Sequence, residues 1–381
     1  MVAQVNETVA APSTALRVCA RCVMDSSDPD IRFDAQGICH HCARYDEAVR
    51  SRVLSGAAAK AELDTLVDRI KRAGQGRAYD CIIGISGGVD STYVAYAIKR
   101  SLGLRPLAVH LDNGWDSELA VKNIEHVLKK LDIPLYTEVL DWEEFRDLQL
   151  AFLRASTPDS EVPSDHAIVA ILYELARREG VRFILSGCNV RTESHLPPAW
   201  SQGHQDWRYI RGLNKRFSTR SLRTFPHRNL LTQMLDRKRV EWVDILNYLD
   251  YRKADALELL QKELGWRYYG GKHYESVYTR FYQGYILPRK FGFDKRKMHL
   301  SSLICSGELT REAALEELKK PTYPEEMQAS DREYVIKKLE LTEAQFDEIM
   351  NAPPKRFADY ASYVNSPLAH LARRARRMLG R

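Results

Sequence analysis

The sequence predicts an α/β fold, a doubly wound parallel sheet preceded by a metal knuckle and followed by a helical region. Three observations lead there. Between residues 80 and 185 short apolar runs alternate with helical stretches long enough to serve as crossovers, the pattern of a parallel sheet covered on both faces. The first run passes straight into Ser86-Gly87-Gly88-Val89-Asp90-Ser91, a small-residue loop at a strand-to-helix junction. Ahead of both, Cys19, Cys22, Cys39 and Cys42 form two C-x-x-C pairs, and 381 residues leave room for a large domain plus smaller modules.

Residues 1–15 are small and polar, and the prediction there is a disordered start. No basic segment followed by an apolar one reads as a secretory signal, and no apolar run approaches the roughly 18 residues of a membrane span, so the expectation is a cytoplasmic protein. Residues 16–50 read as a knuckle, with the acidic, turn-rich stretch from Asp25 to Asp30 between the cysteine pairs. Four thiolates at this spacing can close into tetrahedral Zn2+, and a closed set leaves no position for water, which makes the metal structural. An iron–sulfur cluster or a redox pair would use the same residue types. His40 and His41 are expected beside the metal or on the surface.

Residues 51–78 carry Leu63, Leu66, Val67 and Ile70 at helical spacing and end at Gly74 and Gly76, a helical linker. The principal domain is expected over 79–215, with strands at 80–85, 106–111, 134–139 and 181–185 and helices at 92–102, 117–131, 142–154 and 166–178. Residues 216–309 turn to aromatic and basic helices, and 310–381 form a last helical region expected to dock a partner.

Chemistry concentrates at strand ends. In an open parallel sheet ligands sit beyond the carboxyl ends of the strands, and amides at a helix N-terminus favour an anion. Gly87 and Gly88 let the backbone approach a phosphate, and the hydroxyls of Ser86 and Ser91 can donate to it. Asp90 has two roles open to it, holding Mg2+ or capping the helix. Two more strand ends face the same crevice: His110, Leu111 and Asp112 after the second strand, and Ser186, Gly187, Cys188 and Asn189, followed by Arg191 and Glu193, after the last. Ordinary loop chemistry would also account for those polar turns. A third group lies in the basic and aromatic stretch from 270 to 297, where Lys272, Arg280 and Lys290 are placed to neutralise a departing anion, or else form a solvated basic face. The net charge of +6 suits anionic substrates and does not choose between nucleotides and nucleic acid.

The hexapeptide Ser86-Gly87-Gly88-Val89-Asp90-Ser91 is similar to the fingerprint of the N-type ATP pyrophosphatases, the PP-loop superfamily. That resemblance implies ATP cleaved to AMP and pyrophosphate with Mg2+. It also implies an adenine and ribose contact at His110, Leu111 and Asp112, a further contact at Gly187 and Asn189, and catalytic roles for Asp90 and Glu193. The order of motifs resembles the N-acetyl sugar amidotransferases of bacterial surface-polysaccharide pathways over residues 18–321. These are the knuckle, the phosphate loop, and the run Lys272-His273-Tyr274-Glu275-Ser276-Val277-Tyr278-Thr279-Arg280 with its continuation. It implies a nucleotide-linked N-acetyl sugar as substrate and an acetamidino group as product. The implied ammonia sources are a glutaminase and a cyclase-like barrel similar to those of imidazole glycerol phosphate synthase. A nucleic-acid partner is not expected. Two rivals share the loop: a tRNA thiolase, for which Cys188 is the one cysteine near the site, and a module that binds ATP without turnover.

Overall fold

The computed structural model describes residues 16–54, 56–271 and 273–366, so the expected disordered start at 1–15 and Lys272 lie outside the described residues. The second cysteine pair sits where knuckle becomes helix: α1 (His40–Arg52) starts just after Cys39 and carries Cys42 in its first turn. It is followed by α2 (Gly56–Ala73), the predicted linker helix.

The sheet is built from β1 (Cys81–Gly84), β2 (Pro106–Asp112), β3 (Leu135–Val139), β4 (Phe183–Ser186) and β5 (Glu241–Asp244). Its order is β3-β2-β1-β4-β5 and every neighbouring pair is parallel. The crossovers that make this possible are α3 (Val89–Tyr96, continued by a π-helical turn at Ala97–Ser101), α4 (Glu118–Leu131), α5 (Trp142–Ala155) and α6 (Val162–Arg178). β4 and β5 are joined through α7 (Val190–Glu193), α8 (Trp207–Phe217) and α9 (Leu230–Arg239).

The pleat divides the strands between two cores. Cys81 and Ile83 of β1 pack with Ile70 of α2, Val94 of α3 and Val127 of α4, whereas Ile82 between them packs with Ile171, Leu172 and Leu175 of α6. Both faces are covered, as a doubly wound sheet requires. β3 is an edge, and its Leu135 and Val139 face solvent. At the other edge β5 lies beyond residue 215, so the sheet draws a strand from past the expected end of the principal domain.

A third core lies away from the sheet. It joins the four cysteines and Met24 to Phe145 of α5 and Tyr209 of α8, and to α11 (Val277–Phe281), α12 (Arg296–Cys305), α14 (Glu325–Lys338) and α15 (Glu343–Asn351). Of the other C-terminal helices, α10 (Lys253–Leu259) packs through Ala256 into the core of α2, α3 and α4, and α13 (Arg311–Lys319) follows α12; π-helical turns continue α10 and α11. Among the described residues no helix is long and apolar enough to cross a membrane.

Candidate functional site

The order of strands reverses at β1: the chain runs outward through β2 and β3, then returns to place β4 on the other side of β1. The carboxyl ends of β1 and β4 therefore flank a crevice, the ligand position of open α/β sheets. The loop after β1 fills one wall. Ser86 directs both its amide and its hydroxyl at Ser91 Oγ (3.2 Å each), Gly88 N donates to Ser86 Oγ (3.3 Å), and Ser91 Oγ donates to Gly88 O (3.2 Å). Gly87 has φ +80, and a Cβ there would stand 2.9 Å from Ala120 O on α4, so this position needs glycine for both its backbone and its packing. From β4 comes the other wall: a Cβ on Gly187 would lie 3.3 Å from the carbonyl carbon of Asp90 and 3.4 Å from Ser91 N.

α3 begins at Val89 with Gly88 as its N-cap, and no side chain caps it. Asp90 is thus not the cap. Its Oδ1 accepts a short hydrogen bond from the phenol of Tyr251, a residue that is 1% exposed. Burial first, and then the Asp90 carboxylate, push the Tyr251 phenol well above its ordinary range, which keeps its proton on the donor side. Asp90, itself half-buried, is thus held on one carboxylate oxygen. Trp266 Nε1 donates to Gly87 O (2.9 Å), anchoring the loop from the far side.

His110 Nδ1 is 3.0 Å from Ile85 O, and its Nε2 stands 3.2 Å from Asp116 Oδ2 at ion-pair distance. Burial works against a charged imidazole here, but the Asp116 carboxylate and the Ile85 carbonyl outweigh it and raise the pKa. Leu111 is tied by its main chain into the β2–β3 ladder opposite Glu138, and Asp112 Oδ1 accepts from Gly114 N (2.8 Å) to shape the turn. Asn189 caps α7, accepting from Thr192 N at 2.9 Å, and so orients the short helix that ends with Glu193. Glu193 is the last residue of that helix, which starts four residues after β4 ends.

The start of the aromatic and basic stretch closes the crevice. Arg267 exchanges two hydrogen bonds with Asn123 of α4 (2.8 and 3.0 Å), Glu275 O accepts from Ser117 N (2.8 Å), and Val277 N donates to Trp115 O (2.9 Å). These pin residues 267–271 and 273–277 over the loop. A Cβ on Gly88 would stand 3.5 Å from Tyr269 Oη and 3.8 Å from Glu275 Oε1, and His273 Nδ1 is 3.4 Å from that same carboxylate oxygen. The density of aromatic residues from Trp266 to Tyr274 was the available signal, but nothing in spacing tied it to residue 87. Further on, Arg280 and Lys290 face the C-terminal helices. Arg280 makes a bidentate pair with Asp331 of α14 (2.8 and 2.7 Å), and Lys290 Nζ donates to Ile349 O of α15, with burial pulling its ammonium down to about 8. A separate cleft of about 510 Å3, lined by Arg69, Arg72, Arg182 and Arg239, opens at the amino ends of β4 and β5, the edge of the sheet opposite the loop.

The four cysteines of the knuckle are buried, with sulfur–sulfur distances of 3.9 Å (Cys19–Cys42), 3.7 Å (Cys22–Cys39) and 3.7 Å (Cys39–Cys42). A single tetrahedral Zn2+ with Zn–S bonds of about 2.3 Å requires edges of about 3.8 Å, whereas a disulfide brings sulfurs to about 2.0 Å and a polynuclear cluster spreads them wider. The donor set fits one zinc ion. Amides of Arg21, Cys22 and Cys39 point at Cys19 Sγ (3.4, 3.4 and 3.2 Å), stabilising thiolate charge. From α13, Arg311 grips the carbonyls of Cys22 and Cys19 at 3.1 and 3.0 Å.

Comparison with known proteins agrees with this division. The NAD synthase family model matches residues 60–147, and the model described as LPS biosynthesis protein WbpG-like, C-terminal domain, matches residues 275–375. An uncharacterized protein of Methanocaldococcus jannaschii is 24% identical over 319 residues, covering 81% of this chain and 95% of its own length. The tRNA-specific 2-thiouridylase MnmA of Chlamydia abortus is 35% identical over 65 residues, 15% of this chain and 18% of that protein. Among solved structures, the NMN synthetase from Francisella tularensis has 14% identity and a TM-score of 0.35, covering 74% of this chain and 97% of its own. The NH3-dependent NAD synthetase from Campylobacter jejuni has 13% identity and a TM-score of 0.29, covering 55% and 85%. The loop, the parallel sheet and the first family match define a PP-loop, ATP pyrophosphatase-like domain, the domain of an ATP-using enzyme. A WbpG-like C-terminal domain follows it.

Proposed function

We propose that this chain is an ATP-dependent, AMP-forming amidotransferase acting on a nucleotide-linked N-acetylated sugar acid in surface-polysaccharide synthesis. The observation that carries this reading is the seam at residues 275–277. There the region similar to an LPS biosynthesis protein begins, and there it is hydrogen-bonded to residues 115–117 over the phosphate loop, which supports a substrate region meeting the ATP loop in one crevice.

In this reading the acetamido oxygen attacks the α-phosphorus of ATP and pyrophosphate leaves. Ammonia then attacks the activated carbon, and AMP departs with the original acetamido oxygen, leaving an acetamidino group. The amides and hydroxyls of Ser86, Gly87, Gly88 and Ser91 receive the pyrophosphate, and Asp90, steadied by Tyr251, is the carboxylate that would hold Mg2+ against it. His110, Leu111, Asp112, Gly187 and Asn189 shape the nucleoside side of the crevice. Glu193 faces the reacting centre, and Lys272 is the cation assigned to the departing anion. Ammonia comes from a glutaminase working through a cyclase-like barrel.

The test is mass spectrometry of a reaction with ATP, magnesium, ammonium and a panel of nucleotide-linked diacetamido sugar acids labelled with 18O in the acetamido group. Replacement of oxygen by NH, with 18O recovered in AMP, is the expected result. AMP formed only with tRNA and a sulfur donor would overturn it in favour of a thiolase. The local match to a 2-thiouridylase motivates that second arm. In a thiolase the exposed Cys188, in the turn after β4, would be the sulfur carrier, and no second cysteine stands near it in sequence to complete a relay.

A further inference from the structure

Beside the four-cysteine site lies a fifth sulfur and a histidine that neither the zinc nor the crevice uses. Cys305, the last residue of α12, puts its Sγ 3.8 Å from Cys42 Sγ. His195, fully buried in the turn after α7, puts its Nε2 3.6 Å from Cys305 Sγ. The donor atoms of Cys42, His195 and Cys305 all lie within 4.8 Å of one another.

The tautomer of His195 follows from its neighbours. Ser302 Oγ donates its proton to Met298 O (3.1 Å), so toward the ring Ser302 can only accept, and His195 Nδ1, 3.0 Å away, carries the ring proton. That leaves a bare lone pair on Nε2, directed at Cys305. A metal-ligating histidine is held in this way, one ring nitrogen donating to a fixed acceptor while the other faces the ion. The edges also fit. For bonds of about 2.3 Å to sulfur and about 2.0–2.1 Å to nitrogen, a tetrahedral ion needs a sulfur–sulfur edge of about 3.8 Å and a sulfur–nitrogen edge of about 3.6 Å. The two measured distances match those values.

We propose that Cys42, Cys305 and His195 hold a second Zn2+, with the Cys42 thiolate bridging the two ions and the fourth position of the second ion open to solvent or an exogenous ligand. Charge favours this. A four-thiolate zinc carries a net charge of about −2, and a second dication bound with one more thiolate and a neutral imidazole brings the pair to about −1. Loading the site releases the Cys305 thiol proton to solvent and changes no oxidation state. The second ion would also clamp the turn after α7 to the knuckle.

The experiment is metal counting on the full-length protein. Stripped protein titrated with Co2+ should gain thiolate-to-cobalt charge-transfer absorption up to two ions per chain, with loss of the paramagnetic signal on the second addition as the shared thiolate couples the two spins. Elemental analysis after zinc reloading should give two ions in the wild type and one in Cys305→Ala. Saturation of the wild type at one ion overturns the proposal, and so does a Cys305→Ala protein that still binds two. Should Cys305→Ala fail to fold, His195→Gln carries the same expectation of one ion, and the wild-type count decides independently of either variant.

Discussion

Replacing Gly87 by alanine tests whether the phosphate loop works by the geometry described above. The residue sits at φ +80, where an L side chain costs about 1–2 kcal/mol. The new Cβ would lie 2.9 Å from Ala120 O and 3.3 Å from Ile124 Cγ1, and because the nearer atom is helix backbone, overpacking adds about 1–3 kcal/mol. The sum is about 2–5 kcal/mol, relieved by moving either α4 or the loop. A loop displaced by a good fraction of an ångström holds its amides off the phosphate oxygens, and a misplacement of about 1 Å lowers a rate about 100-fold. Gly292→Ala is the control: it has φ +73 with open space around its Cβ position, so it bears only the backbone cost. Melting curves and AMP release, measured side by side, should show Gly87→Ala less stable than Gly292→Ala and slower by about two orders of magnitude. If the two variants melt and turn over alike, the contact with α4 does not shape the loop, and the reasoning fails.

Tyr251→Phe removes the phenol from Asp90, a hydrogen bond to a charged group worth about 1.5–3 kcal/mol, and should slow AMP formation at least about 10-fold in steady-state assays; wild-type turnover would refute the steadying role. Arg280→Ala strips the partner from Asp331, which is 5% exposed, and should destabilise the protein by about 3–5 kcal/mol in denaturant titrations, with part recovered in Arg280→Met/Asp331→Leu. Because the folded pKa of His110 lies above its unfolded value of 6.5, the stability it contributes is complete below that pH and is lost as pH rises through the raised midpoint. Asp116→Asn should therefore lower the imidazole midpoint in NMR titrations and narrow its melting deficit between about pH 6 and pH 8; an unmoved midpoint would refute the pairing. Cys19→Ser, or a strong chelator, should release zinc and lower the melting temperature, and a metal-free variant melting like the wild type would show the knuckle to be dispensable.

The sheet was largely legible because β1, β2 and β4 are apolar runs, β3 is a short run that starts just after Pro134, and the helices between them keep one period in their apolar positions. β5 was not. Its residues Glu241-Trp242-Val243-Asp244 are too few and too polar at the ends to read as a buried strand, and only the ladder with β4 reveals it. α9 misleads in the opposite sense: Leu230, Leu231, Met234 and Leu235 face solvent, while Gln233 and Asp236 are buried, Asp236 between Arg177 and Arg228. Periodicity finds such a helix and points its faces the wrong way. For the site, the loop and the knuckle are local in sequence and could be read directly, whereas Tyr251, Trp266, Tyr269 and Glu275 reach the loop only through tertiary packing.

The grip of Arg311 on the carbonyls of Cys19 and Cys22 also sets an order of events during synthesis. Arg311 and Cys22 are 289 residues apart, which at a ribosomal pace of about 5–20 residues per second is a wait of about 15 to 60 s. Through most of that interval both cysteine pairs have been made and can take up metal, while α12 and α13 do not yet exist. A zinc ion taken up then would bind before Arg311 exists, and a cell short of zinc would meet the fault early in translation, in a chain that still lacks the residues to hide it.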